Sequence, residues 1–145
     1  MFENILVVCI GNICRSPMAE ALLIESLKNK KNHDISSAGL GALVGHSPDK
    51  TAIELMQEKG IDISDYKATQ INHKLIRKSD LILVMESKHK EIIENMDPSA
   101  NGKVFRIGEW DKFDIADPYR KDRKIFEESL NLIETGISEW VKKFN

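Results

Sequence analysis

Ile5-Leu6-Val7-Val8-Cys9-Ile10-Gly11-Asn12-Ile13-Cys14-Arg15-Ser16-Pro17 is the stretch on which the fold turns. It opens with a continuous apolar run, Ile5–Ile10, short and rich in β-branched side chains, which Gly11 ends. Such a run suits a strand covered on both faces. Ser16 is placed to cap a helix and Pro17 to enter its first turn, so a helix is expected over 17–30. Ala19, Leu23 and Leu27 recur along one face of it. Strand, tight loop and helix in that order open an α/β unit.

The same alternation continues outward. His33–Ala38 is a weaker strand candidate and leads into a loop holding Gly39, Gly41 and Gly45. Residues 48–59 read as a helix, with Ala52, Leu55 and Met56 on one face and Gly60 suited to end it. A short helix near 72–78 precedes a second buried strand, Asp80–Met85. Residues 87–96 look helical, Val104–Ile107 is a fourth strand, and 108–121 is irregular and rich in Asp. Phe126, Leu130, Ile133, Ile137, Trp140 and Phe144 mark the stripe of a final amphipathic helix. Buried strands alternating with helices imply a three-layer α/β fold, a parallel sheet with helices on both faces. Ligands of such sheets sit beyond the carboxyl ends of the strands, so the loop over 9–16 is the first candidate site.

Composition narrows the classes. The chain has 145 residues, 41% apolar and 30% charged, with a formal net charge of −2. One domain over 1–145 is expected, since no linker, repeat or low-complexity tract divides it. The near-neutral balance argues against nucleic acid as a partner. No apolar run is long enough for a membrane span, and no secretion signal is expected at the N-terminus. Cys9 and Cys14 are the only cysteines, which points away from a disulfide scaffold and toward a reducing cytoplasm. His33, His46, His73 and His89 show no metal-ligand spacing and read as surface residues.

Cys9 and Arg15 followed by Ser16 form a C-x5-R-S pattern across the strand–helix turn. Each part has a task if the ligand is a phosphoryl group. Successive backbone N–H groups of the loop face one concavity, and the helix dipole adds positive potential. Gly11 and Asn12 tolerate the left-handed backbone that a tight curl needs. Donors around Cys9 favour thiolate over thiol. The Arg15 fork can hold two phosphoryl oxygens at once, most strongly in the transition state. Ser16 can serve either as an N-cap or as a hydrogen-bond partner of the Cys9 sulfur. Cys14 reads equally as a redox partner of Cys9 or as a small side chain filling space. Without this spacing, Cys9 would read as an inert buried cysteine.

A departing phenolate or alkoxide needs a proton. Among Asp111, Asp114, Asp117 and Asp122, the Asp117-Pro118-Tyr119 stretch is the most constrained. Pro118 biases Asp117 toward an extended backbone, and Tyr119 offers a ring for stacking. An ordinary surface turn explains the same residues.

Val7–Glu20, Ser36-Ser37-Ala38-Gly39 and Asp117-Pro118-Tyr119 together resemble the low-molecular-weight protein tyrosine phosphatases, most closely the bacterial branch associated with capsule and exopolysaccharide export. The resemblance implies a four-stranded parallel sheet with a phosphate-binding loop after the first strand. It implies Cys9 as nucleophile, Arg15 as ligand of phosphate and transition state, and Asp117 as general acid and then base. Substrate contacts are implied at Ile10, Gly11, Asn12, Ile13, Cys14 and Ser16, with crevice walls at Leu40 and Tyr119. It implies no metal or organic cofactor. The implied substrate is a phosphotyrosine protein, an autophosphorylating bacterial tyrosine kinase being the expected partner. One departure stands out: where the family often has His-x-Ala-Arg-Gln, this chain has Tyr66-Lys67-Ala68-Thr69-Gln70. The family's His braces the loop Asn, and at Tyr66 a hydroxyl is the group available for that task.

Two rivals remain at this level. An arsenate reductase of the same fold would recruit further cysteines, and none follows Cys14. A non-catalytic phosphate-binding module would need Arg15 and the amide cradle but not both Cys9 and Asp117.

Overall fold

A computed structural model describes residues 2–30 and 32–144. The order of elements is β1 (Asn4–Cys9), α1 (Arg15–Leu27), β2 (Asp34–Gly39), α2 (Lys50–Glu58), α3 (His73–Lys78), β3 (Leu81–Val84), α4 (Ser87–Met96), β4 (Val104–Arg106) and α5 (Arg123–Val141). A single 3₁₀ turn, Pro98–Ala100, precedes β4. The strands form one parallel sheet in the order β2-β1-β3-β4. The four-stranded parallel α/β expectation is met.

Alternation along β1 explains the layers. Ile5, Val7 and Cys9 face one core with α1, α2 and α5, while Leu6 and Val8 face the other with α3 and α4. Both faces are covered, so β1 needs no polar side chain, and its run is apolar throughout. The α5 stripe behaves as its spacing predicts, with Phe126, Leu130, Ile133, Ile137, Trp140 and Phe144 all buried. Gly136 lies among them because α5 runs flush against the end of β4: a Cβ there would collide with the Ile107 side chain and carbonyl. No helix of the described residues is long and apolar enough to cross a membrane.

Topology puts a crevice at one place. The chain leaves β1 for β2 on one side and returns to β3 on the other, so the strand order reverses at β1. The loops that follow β1 and β3 diverge there, opening a cleft at the strands' carboxyl ends. Gly39 ends β2 beside this loop; a Cβ on it would strike the Ile10 carbonyl and lie 3.0 Å from Asn12 Cβ. Only a glycine lets β2 approach the loop so closely.

The start of α1 differs from expectation. The helix begins at Arg15, its N-cap residue is Cys14, and no side chain caps it. Ser16 is not the cap because its hydroxyl is engaged inside the loop, between Asn12 and Cys9.

Candidate active site

The loop over 9–16 is held open from behind. The carbonyls of Cys9, Ile10, Gly11 and Ile13 accept the N–H groups of Leu40, Gly41, Leu43 and Asp49 at 2.9, 3.0, 3.1 and 2.7 Å. In a trans peptide the following N–H points opposite to the carbonyl. The N–H groups of Ile10, Gly11, Asn12 and Cys14 therefore turn toward the concave side. The uncapped first turn of α1 adds its dipole in the same direction. The segment after β2 thus serves as a belt that aims the cradle.

Asn12 carries the curl. Its φ of 59° is left-handed, and its side chain is fully buried. The amide uses both of its ends. Nδ2 donates to Ser16 Oγ at 2.6 Å and Ser37 Oγ at 3.1 Å. Oδ1 accepts from Tyr66 Oη at 2.5 Å and from the Thr69 N–H at 2.8 Å. Four bonds exhaust a primary amide's capacity and fix it. Tyr66 thus stands where the family's bracing His is expected, and its hydroxyl does the bracing. Ser37 Oγ stands 2.6 Å from Tyr66 Oη and donates to Glu20 Oε1 at 2.5 Å. Burial pushes the Tyr66 hydroxyl and the Glu20 carboxyl up from their usual ranges, so Tyr66 remains a donor at neutral pH.

Cys9 Sγ lies 2.9 Å from Ser16 Oγ, and both residues are buried. Ser16 Oγ already accepts from Asn12, which leaves its own hydrogen for the sulfur. Cys14 is buried in the same loop. Burial first, then the Asp49 carboxylate, push its thiol far up, which keeps it protonated and a weak nucleophile. Both cysteines are free thiols.

Arg15 is 1% exposed. Its Nη1 donates to Glu86 Oε2 at 2.8 Å and to the Ile115 carbonyl at 2.6 Å. Its Nη2 lies 3.6 Å from Asp117 Oδ2. Its Nε is buried with no hydrogen-bond partner among the described residues. One terminal nitrogen is therefore committed to the protein, and the Nε–Nη2 edge is presented as a fork. The Asp117 segment is tied down close by. Ile115 N–H bonds Met85 O at 2.9 Å, and Ser129 Oγ donates to Ala116 O at 3.2 Å. Asp117 is itself exposed, and its Oδ1 accepts the Tyr119 N–H at 3.1 Å.

These pieces meet in a crevice of about 160 Å³. Cys9, Ile10, Gly11, Ile13 and Cys14 line its floor and side, and Asp117 and Tyr119 stand across from Gly41 and Leu43. Leu40 does not line it. The first residue after β2 packs instead against the core beneath α3 and α4, and Leu43 takes the wall position that was expected of Leu40. Asn12 and Ser16 support the loop from inside the protein rather than facing the crevice. His89 corrects another expectation, since it is fully buried behind Glu86 rather than at the surface. His46 and His73 are exposed, and His33 is half-buried against Phe144.

The sequence reading missed Glu86 and Ser37. Glu86 could have been found from its place two residues after β3, in one of the two loops that open the crevice where the strand order reverses.

The family model for low molecular weight phosphotyrosine protein phosphatase matches residues 4–145. The chain belongs to that family. It is thereby a member of the protein-tyrosine-phosphatase class of enzymes. Among its relatives is the probable low molecular weight protein-tyrosine-phosphatase EpsP of Ralstonia nicotianae, 50% identical over 143 residues, covering 99% of this chain and 97% of EpsP. The crystal structure of the Erwinia amylovora tyrosine phosphatase AmsI superposes with a TM-score of 0.93 at 44% identity, over 99% of this chain and 93% of that one. Vibrio vulnificus Wzb in complex with benzylphosphonate gives a TM-score of 0.94 at 38% identity, over 99% and 100% of the two chains.

Proposed function

We propose that this phosphatase hydrolyses phosphotyrosine on proteins in two steps through a phosphocysteine, using Cys9, Arg15 and Asp117. In the first step the Cys9 sulfur attacks phosphorus as the P–O bond to the tyrosyl oxygen breaks, and Asp117 passes its proton to that oxygen. In the second, water attacks phosphorus, gives its proton to Asp117, and the S–P bond breaks to return the thiolate. The hydrogen of Ser16 stabilises the sulfur as it leaves. Arg15 grips two phosphoryl oxygens by Nε and Nη2, and the amides over Ile10–Cys14 take the equatorial charge. Tyr119 and Leu43 flank the ring of the substrate.

The observation that carries this reading is the placement of Cys9 on the floor of a crevice that Asp117 overlooks, with the buried Arg15 bonded to the same walls. A module that only binds phosphate has no use for a sulfur there. An aryl substrate is supported by the side chains that Ile13, Leu43 and Tyr119 contribute to the lining of the crevice. The whole chain, 1–145, acts as one catalytic domain. Its physiological substrate is the tyrosine-phosphorylated part of a bacterial kinase serving exopolysaccharide or capsule production, met in the cytoplasm. The relatives of the EpsP, AmsI and Wzb type support this setting.

The test is replacement of Cys9 by Ser. The variant keeps the fold and loses hydrolysis of p-nitrophenyl phosphate and of phosphotyrosine peptides. Residual turnover at the parent rate ends the proposal.

A further inference from the structure

Ser87-Lys88-His89-Lys90-Glu91 reads as a solvated stretch. Helix geometry nonetheless turns His89 inward with Ile93, one turn on, and His89 is fully buried. Neither ring nitrogen has a hydrogen-bond partner among the described residues. Buried polar atoms without partners are rare because they cost stability, and each asks for a reason. An apolar side chain of similar size would fill this volume without that cost.

The reason lies in what His89 faces. Its Nε2 is 3.4 Å from Glu86 Oε2, the same oxygen that takes Arg15 Nη1 at 2.8 Å. The other Glu86 oxygen lies 3.6 Å from Lys88 Nζ at the surface. Glu86 is thus shared between an exposed lysine and a buried arginine, and the imidazole backs the buried side. The geometry points to His89 as a positioning residue for the phosphatase reaction, holding the Glu86 carboxylate where it keeps the Arg15 fork aimed into the loop.

An imidazole suits this task when neutral. As imidazolium it would compete with Arg15 for Oε2 and add a second cation beside the guanidinium. The groups facing it are Arg15 from α1, Glu86 and Lys88 around the start of α4, and Asp114 from the irregular segment. Burial first, then the Arg15 charge, push its proton affinity down, which keeps the ring neutral at pH 7.

The inference rests on Arg15 being the phosphoryl ligand, and the experiment separates the two. His89→Leu, His89→Gln and Arg15→Ala are compared in the full chain for competitive inhibition by inorganic phosphate, for kcat/KM on p-nitrophenyl phosphate, and for thermal midpoint. Arg15→Ala loses phosphate inhibition; if it does not, the reading of the site fails. His89→Leu weakens phosphate inhibition and kcat/KM by roughly tenfold, the scale of a displaced positioning group. Its thermal midpoint stays level or rises, since an unpaired buried polar group has been removed. His89→Gln, which keeps an N–H donor, recovers most of the loss. Parent-like phosphate inhibition in His89→Leu overturns the inference while leaving the site intact. So does a loss of stability with unchanged kinetics. If His89→Leu does not fold, His89→Phe, which keeps a ring and loses both nitrogens, is read in the same way: weakened phosphate inhibition upholds the role, and parent-like inhibition refutes it.

Discussion

Replacing Tyr66 by Phe removes one oxygen from the brace behind the phosphate loop. That oxygen donates to Asn12 Oδ1 at 2.5 Å and meets Ser37 Oγ at 2.6 Å. Neither neighbour is stranded by its loss. Asn12 Oδ1 keeps the Thr69 N–H, and Ser37 Oγ keeps Asn12 Nδ2 and Glu20. Ser37 gives its single hydrogen to Glu20, so the cost is the one hydrogen bond from Tyr66 to Asn12, about 1 kcal/mol. For a domain of this size that lowers Tm by roughly 3 °C. The same energy holds Asn12 at its left-handed φ of 59°. If all of it is expressed in the transition state, kcat/KM falls about fivefold, at about 1.4 kcal/mol per decade. Thermal unfolding and p-nitrophenyl phosphate hydrolysis read the two effects on one preparation. Tyr66→His, which restores the group expected of the family, recovers activity. Tyr66→Phe with unchanged Tm and unchanged kcat/KM refutes the claim that the hydroxyl braces the loop.

Asp117→Asn slows the release of phenolates of high pKa far more than that of p-nitrophenolate, measured as the slope of kcat/KM, which reports the first step alone, against leaving-group pKa; an equal loss for all removes Asp117 from the donor role. The Ser99 N–H, then His73 and Arg77, hold Asp97 well below the usual carboxylate range. Its folded proton affinity is lowered, so the stability it contributes is present above the unfolded carboxylate range and is lost as pH falls toward the folded value. Urea midpoints of the parent should fall with acidification below about pH 4, and Asp97→Asn should flatten that dependence while being less stable at neutral pH.

The fold was legible where one physical demand acted alone. Ile5–Cys9 had to be apolar on both faces, and the α5 stripe from Phe126 to Phe144 had to cover one face of the sheet. The floor of the site was legible because Cys9, Arg15 and Ser16 share one loop. Ser16 stayed open between N-cap and partner of the Cys9 sulfur because two demands compete for its hydroxyl, and the Cys9 sulfur with Asn12 wins. The brace could not be read from spacing, since Asn12 finds partners 25, 54 and 57 residues away. Leu40 was the expected wall, but the crevice takes Leu43 instead, in a segment whose path the belt of hydrogen bonds after β2 sets. His89 sits among charged neighbours, and the arginine it backs lies on α1, beyond any local pattern.

The central claim is that phosphate passes through the sulfur of Cys9. Asp117→Asn tests it directly with p-nitrophenyl phosphate, whose leaving group needs no proton in the first step while the second step lacks its base. Acid quenching during turnover followed by peptide mass analysis should find one phosphate per chain, on Cys9. A phosphate on any other residue, or steady turnover without a phosphoenzyme, contradicts the account.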